Sequence, residues 1–261
     1  MAEGAVLYEV RDNIATITLN RPENRNSMTD DVLDGFIASV ARVIEDASVR
    51  CVVVTGKGKS FCAGADFKSG AQRRVADLPP NERSFGMYRP FLTVLDIEVP
   101  VVGALNGHAI GGGMGLALVC DFRVANREAK YGVNFTKLGL HPGMATTYLL
   151  PRLVGLPKAA ELILTGRIIT GAEAAEMGLA NYAVAPEEVW DKSWALAQEI
   201  AACAPIANRW AKRSLYNNAD WDPVKAAQGE ADLQSRTIET EDYREGVSAL
   251  LEKRTPNFQS R

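Results

Sequence analysis

Two glycine-rich segments, each approached from an apolar, β-branched run, constrain this chain more than any other feature. Cys51-Val52-Val53-Val54-Thr55 leads towards Phe61-Cys62-Ala63-Gly64-Ala65-Asp66-Phe67. Val99-Pro100-Val101-Val102-Gly103-Ala104-Leu105 leads into Asn106-Gly107-His108-Ala109-Ile110-Gly111-Gly112-Gly113-Met114-Gly115. A strand, a glycine turn and a helix start leave backbone N–H groups without helical partners. Glycine lets a ligand carbonyl approach where a Cβ would intrude. Two such bends side by side offer two N–H donors to one developing oxyanion, an arrangement suited to polarising a carbonyl.

At 261 residues, 47% apolar and 23% charged, the chain has the make-up of an ordinary soluble protein with a substantial core. A net charge of −3 argues against a nucleic-acid face. No apolar run approaches the ~20 residues that span a bilayer, so no membrane partner is expected. Met1-Ala2-Glu3-Gly4 has neither a basic nor an apolar leader pattern. Cys51, Cys62, Cys120 and Cys203 are scattered without a CxxC and read as buried thiols in a reducing cytoplasm. His108 and His141 are the only histidines, too few for a multi-histidine metal site.

Leu7–Glu9 and Ile14–Leu19 alternate apolar and polar residues around Asp12-Asn13 and predict a β-hairpin. Arg21-Pro22 ends it. Ser27 or Thr29 is placed to cap a helix on which Val32, Phe36, Val40, Val43 and Ile44 recur at helical spacing. Further strands are expected over Val52–Thr55, Val99–Leu105 and Phe122–Ala125, with a helix running on from the second glycine turn through Leu116–Val119. The polar stretch Lys68–Met87 reads as a loop or short helix. Helices are expected over Pro157–Thr165 and Ala172–Met177, and from Val189 onward the pattern is almost wholly helical. The fold class is therefore α/β, with ββα units in a core over 1–195 and a helical C-terminal segment over 196–261.

Two rival motifs fall short. Thr55-Gly56-Lys57-Gly58-Lys59-Ser60 lacks the first glycine of a P-loop, because Val53 occupies that place. Gly107–Gly112 lacks GxGxxG spacing, since Ala109 stands at the second glycine position, and this disfavours a nicotinamide-dependent oxidoreductase. No GxSxG elbow occurs.

Further motifs follow in order. Leu19-Asn20-Arg21-Pro22 with Asn26-Ser27-Met28 precedes the first glycine segment, and Cys120-Asp121 follows the second. Gly139 to Gly143, Leu150-Pro151-Arg152-Leu153-Val154-Gly155, Leu164-Thr165-Gly166 and Ala174-Ala175-Glu176-Met177-Gly178-Leu179 come next. Glu245-Gly246 and Glu252-Lys253-Arg254 stand near the end. Nearly end to end, this succession resembles the enoyl-CoA hydratase/isomerase superfamily, the crotonase fold. The resemblance implies a crotonase-like spiral of ββα units with a C-terminal helical trimerisation region, assembled as a homotrimer or a dimer of trimers. It implies an acyl-CoA thioester ligand, coenzyme A being part of the substrate and not a separate cofactor. The thioester oxygen would meet the backbone N–H groups of Ala65 and Gly112. Asn24 and Arg25, with the segment holding Ala63, Asp66 and Phe67, would cradle the CoA nucleotide, Asp66 fixing its turn by accepting backbone hydrogen bonds.

Hydratases of that family use one glutamate after the second glycine turn and another about 20 residues later, for general acid–base work at the α-carbon. Those places hold Gly115 and Phe135, and neither can carry a proton. Gly111, Gly115, Asn134 and Phe135 are accordingly expected to line a more apolar acyl site. Aroyl-CoA dehalogenases of the family carry an aspartate nucleophile where this chain has Gly143. His141 is the candidate acid–base substitute, because imidazole titrates near neutral pH. Asn134 is placed to hydrogen-bond a ligand, Tyr88 to line an acyl tunnel, Tyr148 to pack on its own helix, and His108 to pack. Two functions are compatible with these residues. One is an enzyme holding a thioester enolate, with hydration or isomerisation of an enoyl-CoA as the family's default reaction. The other is a non-catalytic acyl-CoA carrier or sensor.

Overall fold

The structure, a computed structural model, describes residues 4–66 and 77–261; Phe67 and the stretch 68–76 lie outside the described residues. β1 (Val6–Arg11) and β2 (Ile14–Leu19) form the expected antiparallel hairpin, with Arg11 opposite Ile14. α1 (Asp30–Glu45) buries Val32, Leu33, Phe36, Val40 and Val43, whereas Ile44 is 55% exposed on the opposite side. Thr29 holds the N-cap position, but its hydroxyl donates to the Asp31 carboxylate instead of capping a backbone N–H.

Three strand pairs then build the centre of the molecule: β3 (Cys51–Gly56) with β4 (Ser60–Cys62), β5 (Val101–Leu105) with β6 (His108–Ile110), and β7 (Phe122–Asn126) with β8 (Lys130–Gly132). α2 (Pro80–Leu92) and α3 (Gly112–Val119) separate the pairs. The second strand of each pair enters a four-stranded sheet, β4-β6-β8, closed by the antiparallel β9 (Ile168–Thr170). The first strand of each enters a six-stranded sheet, β1-β2-β3-β5-β7, ending in β10 (Tyr182–Val184). Each turn of the chain thus adds one strand to both sheets, the spiral of ββα units the resemblance implies. Strands of three residues are too short to carry an alternation of their own, which is why the smaller sheet left no sequence signal.

All six residues of β3 are buried, as befits a parallel strand covered on both faces. Cys51 and Val53 point with Val102, Ala104 and Val124 towards Val189, Ala197 and Ala201 of α6 (Val189–Ala201). The alternate residues Val52 and Val54 face the other way, into the core containing Leu33 and Phe36. The boundary expected between 195 and 196 falls inside α6, which packs on β3 and β5. α4 (Thr146–Thr165) begins earlier than expected and bends at Gly155; α5 (Gly171–Glu176) follows β9.

α7 (Pro205–Asn217), α8 (Pro223–Ile238) and α9 (Glu241–Glu252) complete the chain. α7 is held to the core through polar contacts. Lys212 Nζ lies 2.8 Å from Asp121 Oδ2 and donates to the Val99 carbonyl at 2.9 Å, while Tyr216 donates to Asp121 Oδ1 at 2.6 Å. Cys51, Cys62 and Cys120 are buried; Cys203, expected to be buried, is exposed. Among the described residues no helix is long and apolar enough to cross a membrane.

Candidate active site

The two glycine segments meet because β4 and β6 pair in parallel, Ser60 opposite His108 and Cys62 opposite Ala109. Both strands therefore discharge their turns at the same sheet edge. The first turn follows β4 without a helix start among the described residues, so its amide belongs to a loop, and only the second bend opens a helix. At Gly64 the backbone takes φ +82°, and a Cβ there would stand 2.6 Å from the Ile110 carbonyl oxygen and 3.1 Å from the Gly112 nitrogen. Nothing larger than glycine fits between the loops.

Gly111 precedes α3 with φ 55° and ψ −118°, donating its own N–H to the Gly132 carbonyl at 2.8 Å. Its carbonyl already accepts from Gly115 N–H at 3.0 Å, so Gly112 is the first helical residue and its amide has no intrahelical acceptor. Among the described residues neither the Ala65 nor the Gly112 N–H has a hydrogen-bond partner. The α3 dipole adds positive potential at the Gly112 end. Two unspent amides on adjoining loops, backed by a helix N-terminus, can hold a developing negative charge on a carbonyl oxygen.

A second layer fixes these loops. Buried Asn26 accepts from Arg21 N–H at 2.8 Å and donates its side-chain amide towards the carbonyls of Lys57, Ser60 and Phe61 at 3.1, 2.8 and 3.2 Å. Arg25, in the left-handed region with Asn26, accepts from Ala63 N–H at 3.0 Å. Arg25 and Ala63 are thus brought together. Asn24 is spent locally on Ser27, accepting from its N–H and hydroxyl. Asp66 is the last described residue of the first loop, and Phe67 lies outside the described residues.

On the far side of Gly111 stand Asn134 and Phe135, whose Oδ1 and Cζ would lie 3.9 and 4.0 Å from a Cβ at position 111. Phe135 is buried and Asn134 half-buried at the start of a 3₁₀ turn. Gly115 is covered by Met144, whose Cβ and Cγ occupy the volume that a side chain at 115 would enter. Met144 and its neighbour Ala145 reach this position through left-handed φ values of 58° and 51°. Gly143 is covered in turn by the phenol end of Tyr88 from α2.

His141 is exposed, with Nδ1 2.8 Å from the Pro142 carbonyl oxygen, a contact that places the proton on Nδ1 and leaves Nε2 free. His108, expected to pack, is exposed at the edge of β6, where its Nδ1 accepts from Lys130 N–H at 2.9 Å. Tyr148 is 54% exposed and lies against the Arg152 guanidinium one turn along α4, packed on its own helix as expected. Cys62, beside the first loop, is no nucleophile, since burial pushes its thiol up to about 12. Met28 and Met144 are the contacts that sequence reasoning missed. Nothing in an isolated methionine announces that it fills the space above a glycine twenty or more residues away.

Comparison with known proteins agrees with this architecture. A family model described as enoyl-CoA hydratase/isomerase matches residues 9–261. The chain is 38% identical over 253 residues to the protein YngF of Bacillus subtilis strain 168, covering 96% of each. It is 35% identical over 262 residues to the crotonyl-CoA hydratase of Syntrophomonas wolfei, covering 100% of both. A crystal structure of an enoyl-CoA hydratase from Bacillus anthracis superposes with a TM-score of 0.91 at 35% identity, over 98% of this chain and 100% of that one.

Proposed function

The chain belongs to the enoyl-CoA hydratase/isomerase family, and from that premise we propose that it binds an acyl- or enoyl-CoA thioester and stabilises its enolate between the amides of Ala65 and Gly112. The observation that carries this reading is the contact of the two loops at Gly64 and Gly112, beside two N–H donors, Ala65 and Gly112, that have no partner among the described residues. Hydration or isomerisation of an enoyl-CoA is the default reaction. Coenzyme A enters as part of the substrate, with Arg25, Ala63 and Asp66 on its side of the site and Gly111, Gly115, Asn134 and Phe135 on the acyl side. The resemblance would put carboxylates at 115 and 135, where this chain has glycine under Met144 and a buried phenylalanine. Another group must therefore move the proton. His141, the candidate read from sequence, is exposed, which suits exchange with solvent better than holding a proton against a dry α-carbon.

Turnover of crotonyl-CoA and longer enoyl-CoAs by purified protein tests the reading, with loss of activity expected in Gly112→Pro, which deletes one donor. Full activity in that variant rejects the two-amide assignment. Turnover unchanged in His141→Ala removes the imidazole from the mechanism. The covered Gly115 and the apolar Phe135 favour a second reading, a carrier or sensor that binds an acyl-CoA and leaves it unchanged. Tight binding by calorimetry with no product across a CoA panel selects it. A homotrimer or dimer of trimers in the cytoplasm completes the proposal. It is supported by Leu215, Leu250 and Leu251 on the C-terminal helices, which are 76%, 77% and 78% exposed in the single chain.

A further inference from the structure

We infer that Tyr88 is the acid–base residue of this site, its hydroxyl exchanging a proton with the α-carbon of the bound thioester. The assignment rests on the acyl-CoA reading above and adds a residue to it. From the Gly112 amide, one helical turn of about 5 Å leads to Gly115. Met144 covers Gly115, and the residue before it, Gly143, is covered by Tyr88, whose Oη would lie 2.6 Å from a Cβ at position 143. The absence of a side chain at 143 leaves room for this phenol, and α2, which carries it, packs directly on α3. Tyr88 is half-buried, and among the described residues its hydroxyl has no hydrogen-bond partner. The side chains that cover Gly112 and Gly115, Met28 and Met144, carry no titratable group. Burial alone raises the Tyr88 pKa above the ordinary phenol value, so the group is a protonated donor at neutral pH.

The step balances without a further reactant. Water adds its oxygen to the β-carbon of an enoyl-CoA, and the π electrons move into a thioester enolate whose oxygen rests on the two amides. The Tyr88 O–H bond then breaks as a new Cα–H bond forms, and the phenolate recovers the surplus proton of the attacking water. In reverse, the phenol protonates the departing β-hydroxyl of a 3-hydroxyacyl-CoA while its oxygen takes up the α-proton.

The test is hydration of crotonyl-CoA in deuterium oxide, followed by mass spectrometry of the α-deuterated product, with binding of butyryl-CoA measured in parallel by calorimetry. Wild-type protein is expected to form product above the protein-free rate. Tyr88→Phe keeps the ring against Gly143 and is expected to bind butyryl-CoA equally well while forming product about 10²–10⁴-fold more slowly. Turnover unchanged in Tyr88→Phe overturns the assignment, as does wild-type binding without turnover; both leave the acyl-CoA reading standing. Absence of binding by the wild type overturns that reading and this inference together.

Discussion

Met28 and Gly112 share one volume: the Met28 sulfur occupies the place where a Cβ on residue 112 would project. The same methionine donates its backbone N–H to the Gly64 carbonyl at 2.9 Å. One buried residue therefore touches both donor loops and sets how closely they approach.

Gly112→Ala is expected to displace the Met28 sulfur and pull the two amides out of register. A loss of about 10²–10³ in kcat should follow, the size seen when one oxyanion donor is removed. Met28→Ala in the same chain makes room for the new methyl, so the double variant should recover part of the loss. A double variant no more active than Gly112→Ala would show that the methionine does not set the spacing.

Gly115→Glu should fold poorly on its own, because Met144 fills the required space. Overpacking of this kind costs about 1–3 kcal/mol. Adding Met144→Ala should restore thermal stability, and circular dichroism melts of the single and double variants compare them directly. Equal melting temperatures for Gly115→Glu and the unaltered chain would contradict the contact.

Asp121 accepts from Val101 N–H at 2.7 Å and from Tyr216, and pairs with Lys212, the two ion-pair side chains being only 11% and 14% exposed. Asp121→Ala strands the Lys212 charge and the Tyr216 hydroxyl and should cost about 3 kcal/mol. For a chain of this size that lowers Tm by about 6–12 °C in calorimetry. An unchanged Tm would mean that Asp121 contributes nothing to holding α7.

Thiol labelling separates the cysteines. Cys203 is exposed, whereas burial drives Cys51, Cys62 and Cys120 each up to about 12. Native protein should react rapidly at Cys203 alone, and the other three only on unfolding. Mass mapping of the label decides this.

At the C-terminus Glu245 binds the Arg254 guanidinium at 2.6 and 2.8 Å and accepts from Asn257 N–H at 2.7 Å, which holds its carboxyl down at about 2 against an ordinary 4.5. A lowered folded-state pKa stabilises above the unfolded value and is lost as protons bind. The tail should therefore loosen as pH falls from about 4.5 towards 2. Amide exchange over Thr255–Arg261 should quicken across that window, and Glu245→Gln should quicken it at neutral pH and flatten the pH dependence.

Local pattern alone was enough for the hairpin around Asp12-Asn13, the buried strand β3, the core face of α1 and the two glycine turns, because each depends on a periodicity or a turn residue within a few positions. The motif order carried the family. The smaller sheet was not legible, since β4, β6, β8 and β9 are three residues long and are defined by their partners. That sheet is what sets the Gly64 and Gly111 turns side by side. Tertiary packing also decided which side chains fill the spaces above Gly112, Gly115 and Gly143. Methionine and tyrosine reach those places through left-handed turns and helix packing that link residues far apart in the chain, and a linear pattern holds no record of such distances.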